Sequence, residues 1–503
     1  MRLTQVAYLG LDIGTSAVKG VLVDGEQQCL ASASRAYGVD HPRPGFAEQS
    51  PDVWWQAVEE VVVDLRRQSP EGVSRVAAIG LSGQMHGLVL QDEAGRIVRP
   101  AILWNDQRAD RECRRLEERL PEFGQLTGVS PMPAFWAAKL LWLAAHERDS
   151  LASARHLLLP KDHVRWRLSG EHVTDMCDAA GTQLLDQAQR DWSDAVLACC
   201  GITRDVLPRL VEGTQHAGWL DERLASRWGI PSAVRIAGGA GDVAAGALGI
   251  GAIHEGSAFL TLGTSSQMFV TADGYRPAPE SVLHAFAHAL PGRWFQMAAM
   301  LNGASALSWV AELLGLSIET ALSKAERAAR DSGEGEHSEG LLFLPYLNGE
   351  RTPHDDPHAR GVLFGLTPAS QPGDVVLAVL DGVGYSLREA RDVIESAGTP
   401  IERLAVIGGG SRSDFWLRRL ADIIDRPLVR YRDSERGPAF GAARLARMAS
   451  TGEPAEHVCT PPEVDTVFEP RPERSARHAA QFERFKALYR ALRPEFKRAG
   501  SSL

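Results

Sequence analysis

One turn is written twice in this chain, and no other feature constrains the fold as strongly. Tyr8-Leu9-Gly10-Leu11-Asp12-Ile13-Gly14-Thr15-Ser16 is an apolar run, broken by one acid and closed by Gly-Thr-Ser. Phe259-Leu260-Thr261-Leu262-Gly263-Thr264-Ser265-Ser266 repeats the shape without the acid. Each copy continues into a second strand-like segment, at 18–23 and 267–270. A strand that ends in small residues offers backbone N–H groups and hydroxyls to an anion. Two such turns, one in each half, predict two related lobes that grip one polyphosphate.

The 503 residues exceed what a single core sustains, so two domains are expected, 1–251 and 252–503. A net charge of −10 argues against a nucleic-acid partner and against an anionic membrane surface. No apolar stretch has the length of a signal peptide or a membrane span. The six cysteines lack zinc-ligand spacing, and adjacent Cys199-Cys200 reads as a half-buried helix or turn. A reduced, cytoplasmic protein is the expectation.

Local patterns predict α/β lobes that each open on antiparallel strands. Val6–Ile13, Val18–Val23 and Cys29–Ser34 read as three strands, with Asp24-Gly25 supplying a turn that permits positive φ. Ser50-Pro51 starts a helix to about Gln68, and Arg75–Leu81 is a fourth strand. Ala137–His146 and Arg155–Leu168 read as helices. Val234–Ala237 is a short strand, Val243–Gly249 a helix, and the second turn follows. Beyond it come helices at Ala304–Leu314, Val375–Ala397, Asp414–Ile424 and Pro438–Ala449, with strands Arg403–Ile407 and Leu428–Tyr431. Residues 331–339 read as an exposed loop, and the charged end from Arg471 as helix-permissive.

Five segments carry chemistry. Asp12 beside a phosphate turn would repel its ligand unless a divalent cation lay between them, and Mg²⁺ favours one or two carboxylates plus phosphate oxygens. Turn capping is the plainer role for Asp12 in isolation, and the second Gly-Thr-Ser weighs against it. Gly408-Gly409-Gly410-Ser411 joins a strand to a helix and lets backbone approach a ligand closely, although such turns are common. The third glycine of a dinucleotide fingerprint is missing at Ser413. Asp242 follows small residues that open its surroundings, so it can take a proton from a hydroxyl. Capping the helix that follows is an equally good and compatible role for it. Gly83-Gln84-Met85-His86-Gly87 places polar and soft side chains at a strand end, where His86 is either a ligand contact or structural. Trp104-Asn105-Asp106-Gln107-Arg108 suits a polyhydroxylated ligand or a helix-start network.

Taken together and in this order, these segments resemble the FGGY family of carbohydrate kinases over nearly the whole chain. Asp12-Ile13-Gly14-Thr15-Ser16 matches the family's first phosphate motif. Trp54-Trp55, the run 83–87, 102–106, 159–162, 175–181, 344–354 and 408–413 follow in register. The resemblance implies two ribonuclease-H-like domains of the actin-like ATPase type with a cleft between them. It implies ATP-dependent phosphorylation of a small-molecule sugar with Mg²⁺, and Met85-His86 favours D-xylulose, phosphorylated at its 5-position. By the same resemblance Asp242 is the catalytic base, and Met85, His86, Trp104, Asn105 and Asp106 lie on the sugar side. Thr15, Ser16, Thr264, Gly409, Gly410 and Asp414 lie on the nucleotide side. Asp12 and Asp242 are the carboxylates near the metal, and a homodimer is compatible with the family.

One departure touches specificity. The family members that phosphorylate xylulose commonly carry Asn after the catalytic Asp, and this chain has Val243. One hydrogen bond to the sugar is thereby removed, which affects affinity or selectivity rather than reaction type. Ribulose or a pentitol such as xylitol is the alternative substrate. A non-catalytic sugar sensor built on an actin-like ATPase is the alternative class, and the presence of Asp242 speaks against it. A nucleotide-dependent oxidoreductase is disfavoured by the missing fingerprint and the duplicated turn.

Overall fold

The structure is a computed structural model that describes residues 6–331, 340–432 and 436–500. In the first half β1 (Ala7–Ile13), β2 (Ala17–Asp24) and β3 (Cys29–Ala36) run antiparallel. The positive φ between β2 and β3 falls on Gln27 at 64° and not on Asp24-Gly25. Asp24 instead accepts from the N–H groups of Glu26 and Gln28 and closes the turn through its side chain. Helix α1 (Pro51–Gln68) starts where the sequence predicts, with the Ser50 hydroxyl accepting from Asp52 N and Pro51 at the first position. Its Trp54, Val58, Val61 and Leu65 are fully buried at helical spacing. Strand β4 (Val76–Gly83) lies parallel to β1, and helix α2 (Pro160–Ser169) follows later.

The predicted helix 155–168 is two elements. A short strand, His156–Leu158, precedes Pro160, which opens α2 at its first position. Proline has no N–H to donate and its ring clashes with the preceding turn, so the helix can start at Pro160 but cannot run through it. Then come β5 (His216–Trp219), β6 (Arg235–Ala237), β7 (Ala240–Gly241) and helix α3 (Asp242–Ile250), which ends on Gly251 at φ 76°. The second half supplies β8 (Ser257–Leu262), β9 (Ser266–Ala272), β10 (His284–Ala287), β11 (Trp294–Met300) and α4 (Ala304–Leu313). It continues with α5 (Pro372–Ser396), β12 (Arg403–Ile407), α6 (Asp414–Ile424), β13 (Leu428–Tyr431), α7 (Pro438–Thr451), β14 (Val464–Phe468) and α8 (Pro472–Gly500). Of the loop expected at 331–339, residues 332–339 lie outside the described residues. Among the described residues no single helix is long and apolar enough to cross a membrane.

The repeated turn is the visible end of a repeated topology. One seven-stranded sheet has the order β5-β6-β4-β1-β2-β3, with β7 paired to β4. The other has the order β14-β13-β12-β8-β9-β11-β10. In each, a central strand turns back through Gly-Thr-Ser into an antiparallel neighbour, while its other side pairs with a parallel strand. Parallel pairing needs helical crossovers, which cover both faces, so β1 and β4 are almost wholly buried. Alternation along β1 sends Leu9, Leu11 and Ile13 towards α1, and Tyr8 and Gly10 towards α7.

Helix α7 belongs late in the chain but packs on β1 and β4 of the first sheet. It comes so near that a Cβ on Gly10 would stand within 3.0 Å of Ala439 O, and one on Gly80 within 3.0 Å of Ala442 O. Gly441 meets Ala245 O of α3 in the same way. Here the missing side chain is the structural feature, because backbone meets backbone with nothing flexible to yield. Gly80→Ala is therefore expected to destabilise the protein by at least about 3 kcal/mol or to abolish its folded expression. An urea midpoint within error of the parent would show that α7 does not sit on β4.

Candidate functional site

A cleft of about 380 Å³ opens at the ends of the strands where the two sheets face each other. Its floor begins with the first turn. Gly14 N donates to Ala17 O at 3.0 Å and closes the β1–β2 hairpin. Tyr37 Oη donates to Gly14 O at 2.6 Å, and Gln49 Nε2 donates to Thr15 O at 2.7 Å. Gln49 in turn accepts from Trp54 Nε1, so the Trp54 motif residue supports the turn from behind. The Thr15 hydroxyl accepts from Trp104 Nε1 at 2.9 Å, which ties the phosphate turn to the predicted sugar side.

Asp12 and Asp242 stand half-buried beside one another's field. Ser82 Oγ donates to Asp12 Oδ1 at 2.7 Å. Burial raises Asp12 from 3.8 to about 6, against the lowering effects of that bond and of Lys19. Burial, then the Asp12 charge, raises Asp242 to about 7. Asp242 is the first residue of α3, while Gly241 holds the N-cap position, so the capping expected of Asp242 reduces to a contact with Val243 N at 2.8 Å. Gly241 is a glycine for a local reason: a Cβ there would collide with the Met85 thioether.

Met85 and His86 follow β4 into the cleft. His86 has φ 67°, a costly conformation for a residue with a Cβ, and several groups hold it there. Lys139 Nζ donates to His86 O at 2.7 Å, and Trp136 Nε1 donates to Gly87 O at 2.9 Å. The ring bonds Gly181 O through Nδ1 at 2.6 Å. Burial drives the imidazole down to about 3, so it is neutral, Nδ1 carries the proton, and Nε2 is left as the acceptor facing the cleft. Gly181 has no room for a Cβ beneath His86 and Met85.

Beneath these loops lies a fully buried ionic cluster. Lys161 Nζ pairs with Asp162 at 2.6 Å, Asp175 at 2.7 Å and Asp178 at 3.2 Å. Burial opposes the Lys161 charge, but the three carboxylates outweigh it and hold the ammonium above its ordinary value. Burial keeps the Asp178 carboxyl well above its own. Arg165 reaches Ala237 O at 2.6 Å and also Gly238 O, and so carries the cluster to the strand that delivers Asp242. Asp175 caps the short helix Met176–Ala180 that ends at Gly181. One cluster thus positions both the partner of His86 and the approach to Asp242.

The second half provides the facing wall. His284 and Phe286 alternate on β10, Phe295 and Met297 on β11, and Glu350 and Arg351 come from the run 344–354. Phe135 bridges the walls, its ring 4.2 Å from His86 and 6.1 Å from His284 between centroids. Sequence reasoning assigned no role to these residues. The one available signal was the period-2 placement of His284/Phe286 and Phe295/Met297.

Among the predicted residues, Thr15, Met85, His86, Trp104 and Asp242 line one cleft, with Val243 beside them. Asn105 and Asp106 do not line it. Asp106 is fully buried, chelated by Arg108 and accepting from Ala47 N at 2.6 Å, so its geometry suits holding the Trp104 loop rather than touching a ligand. The second turn and the glycine turn meet because β8 and β12 are adjacent. Gly263 N bonds Ser265 O, and α4 begins from this turn through Ala304 N to Gly263 O at 2.6 Å. Gly408 (φ 98°) and Gly410 press on Leu262, whereas Gly409 has open space. Ser16, Thr264 and Gly409 are exposed. Asp414 is exposed in the first turn of α6, paired with Arg430 at 2.6 Å, while Ser413 caps that helix.

The sequence descriptors of the FGGY family of carbohydrate kinases match here in two parts, the N-terminal domain over residues 7–249 and the C-terminal domain over 258–450. A xylulose kinase of Escherichia coli strain K12 is 43% identical over 488 residues, 97% of this chain and 99% of that one. A xylulose kinase of Klebsiella pneumoniae is 42% identical over the same shares. The crystal structure of a xyloylose kinase from Brucella ovis superposes with a TM-score of 0.92 at 42% identity, covering 97% of this chain and 99% of that one.

Buried histidines make the stability pH-dependent. Burial lowers His86, His163, His284 and His288 from 6.5 to about 3. Between those values the unfolded chain binds protons that the folded chain does not. Their contribution is complete above about 6.5 and drains away as the pH falls towards 3. The raised Asp12, Asp242 and Glu350 carboxyls act in the opposite sense, binding protons in the folded chain that the unfolded chain does not, so the histidine share of the thermal midpoint is read from a variant that removes one histidine. His163, both of whose ring nitrogens are buried without partners, is the cleanest probe. His163→Phe should fold and show a shallower decline between about pH 6.5 and 5, and an unchanged slope would remove His163 from the account.

Proposed function

Because the chain belongs to the FGGY family of carbohydrate kinases, we propose that it transfers the terminal phosphoryl group of ATP to the 5-hydroxyl of D-xylulose, with Asp242 as the base. The observation that carries this reading is the placement of Asp242. It faces the same cleft as Thr15 of the first phosphate turn and as His86, and it is held at about 7, where a carboxylate both exists near neutrality and has appetite for a proton.

Phosphoryl transfer asks for positioning and charge stabilisation more than covalent chemistry. The triphosphate lies between Gly14–Ser16 and Gly263–Ser265, with the nucleoside towards the Gly408–Gly410 turn and Asp414 beyond it. The open-chain sugar lies against Met85 and His86, where His86 Nε2 accepts a hydroxyl proton and Trp104 covers the end next to Thr15. As the 5-oxygen attacks the γ-phosphorus, Asp242 takes its proton and the bond from the γ-phosphorus to the β,γ-bridging oxygen breaks. ADP and the 5-phosphate leave.

The donor set fits a magnesium ion carried by the nucleotide, since two neighbouring carboxylates, Asp12 and Asp242, repel each other in its absence. Bound there, the ion would offset the phosphate charge. Val243 favours a second reading of the substrate alone, a related ketopentose or pentitol, because it lines the cleft without offering a hydrogen bond.

A panel of D-xylulose, D-ribulose, xylitol and glycerol, read as ADP release, tests the substrate. D-Xylulose is expected to give the highest kcat/KM, and no release with any sugar would defeat the kinase reading. Asp242→Asn should lower kcat on the order of 10²–10⁴-fold while ATP still binds. Full activity in that variant would remove the base. Val243→Asn should lower the KM for D-xylulose, and a KM that is unchanged or raised counts against a sugar contact at that position.

A further inference from the structure

Arg351 is a cation in the wall opposite Met85 and His86. It lines the cleft, yet among the described residues its guanidinium makes no side-chain hydrogen bond and no ion pair within 4.0 Å. Other buried arginines behave otherwise: Arg108, Arg165, Arg190 and Arg419 each bond a carboxylate or a carbonyl. Glu350, the adjacent acid, makes no ion pair with it within 4.0 Å, and its Oε1 is turned to the backbone while Oε2 has no hydrogen-bond partner. Glu350 Oε1 accepts from Leu301 N at 2.7 Å and from Arg351 N at 2.8 Å. Thr352 pairs with Ala299 through both main-chain N and hydroxyl at 3.1 Å. These bonds fix the backbone on either side of Arg351 and leave its five N–H donors without a hydrogen-bond acceptor among the described residues. The charges of Glu350 and Asp355, which line the same cleft, act on this half-buried guanidinium without pairing with it, so its hydrogen-bond donors remain open to a ligand.

Its position along the cleft says which part of a ligand. Met85 abuts Gly241 beside Asp242, and Phe135 links His86 to His284 through ring contacts. The Arg351 charge is felt at His86 and His284, whereas it is not among the influences on Asp242 or Asp12. Arg351 therefore belongs with the His86 and His284 side of the cleft. His86 Nε2 is an acceptor and reads a hydroxyl. A guanidinium is a pure donor and pairs best with a group that only accepts. In an open-chain 2-ketopentose the hydroxyls both donate and accept, and the carbonyl alone is a pure acceptor, located at the end opposite the 5-hydroxyl.

Resting on the ketopentose reading above, we propose that Arg351 is a specificity-determining residue that donates to the carbonyl end of the sugar and so distinguishes a ketose from the corresponding polyol. Because it comes from the second half and His86 from the first, one sugar bridges the two walls.

The test compares wild type, Arg351→Met and Arg351→Lys with D-xylulose and xylitol, together with ATP affinity by calorimetry. Arg351→Met should raise the KM for D-xylulose by about tenfold or more, the size expected for a bond from a charged donor, with ATP affinity within about twofold of wild type. The ratio of kcat/KM for D-xylulose over xylitol should fall by a similar factor, and Arg351→Lys, which keeps the charge but loses the fork, should lie between. An unchanged ratio in Arg351→Met overturns the assignment and leaves the kinase reading intact. So does a parallel loss of ATP affinity and thermal midpoint in both variants, which would mark a structural residue. A wild type that phosphorylates no ketopentose removes the reading itself, and the assignment with it.

Discussion

The contact on which the rest of the structure depends is the backbone-to-backbone approach of α7 to β1 and β4. Gly10 and Gly80 give up their side chains so that a helix from the end of the chain can lie on a sheet from its beginning. The same helix meets α3 at Gly441, and its arginines complete the join. Arg444, fully desolvated, donates to Leu248 O and Gly249 O at the C-terminal end of α3 and to Thr460 O, while Arg447 reaches Gly25 O between β2 and β3. Helix ends leave carbonyls without partners, and here a side chain from the other half of the sequence supplies the donors. The strand ends that carry Asp12 and Met85, and the helix that carries Asp242, are therefore fixed relative to one another by one helix.

On that frame the cleft is supported by buried polar groups that do not line it. Lys161 with its three carboxylates and Arg165 are buried ions, and Lys139 is a buried amine that burial pushes well below its ordinary value; each holds a loop of the cleft. Hydrophobic packing resists displacement but sets no hydrogen-bond direction. Buried polar donors with two or three fixed partners do set it, and Lys139 holds His86 in a backbone conformation that its side chain disfavours.

The two Gly-Thr-Ser turns are alike in path and unlike in charge. In the first sheet Asp12 stands opposite Lys19, and in the second Thr261 stands opposite Gln267, whose N–H bonds the Thr261 hydroxyl. One copy carries a carboxylate that a cation can join, and the other presents neutral donors. A single anionic ligand held between them meets an asymmetric clamp, with Asp242 at the junction.

Much of this was legible in the sequence, for a physical reason. Strand periodicity, the Ser50-Pro51 helix start and the glycine turns are local effects, governed by neighbours within a few residues. Asp12, Thr15, Met85, His86 and Asp242 stood out because each lies at a strand end where local pattern breaks. The break at Pro160 was legible too, since proline opens a helix but does not continue one, and reading 155–168 as a single helix overlooked it. What the sequence could not decide was contact between distant segments. Asp106 looks like a ligand group until Arg108 and Ala47 are seen to occupy it. Arg351 looks like any surface arginine until it is seen to line the cleft with no ion pair within 4.0 Å among the described residues. The residue types and their local turns determined the class of chemistry. Only the tertiary structure decided which polar groups are already spent on one another and which remain for a ligand, because hydrogen-bond satisfaction is a property of the whole packed molecule.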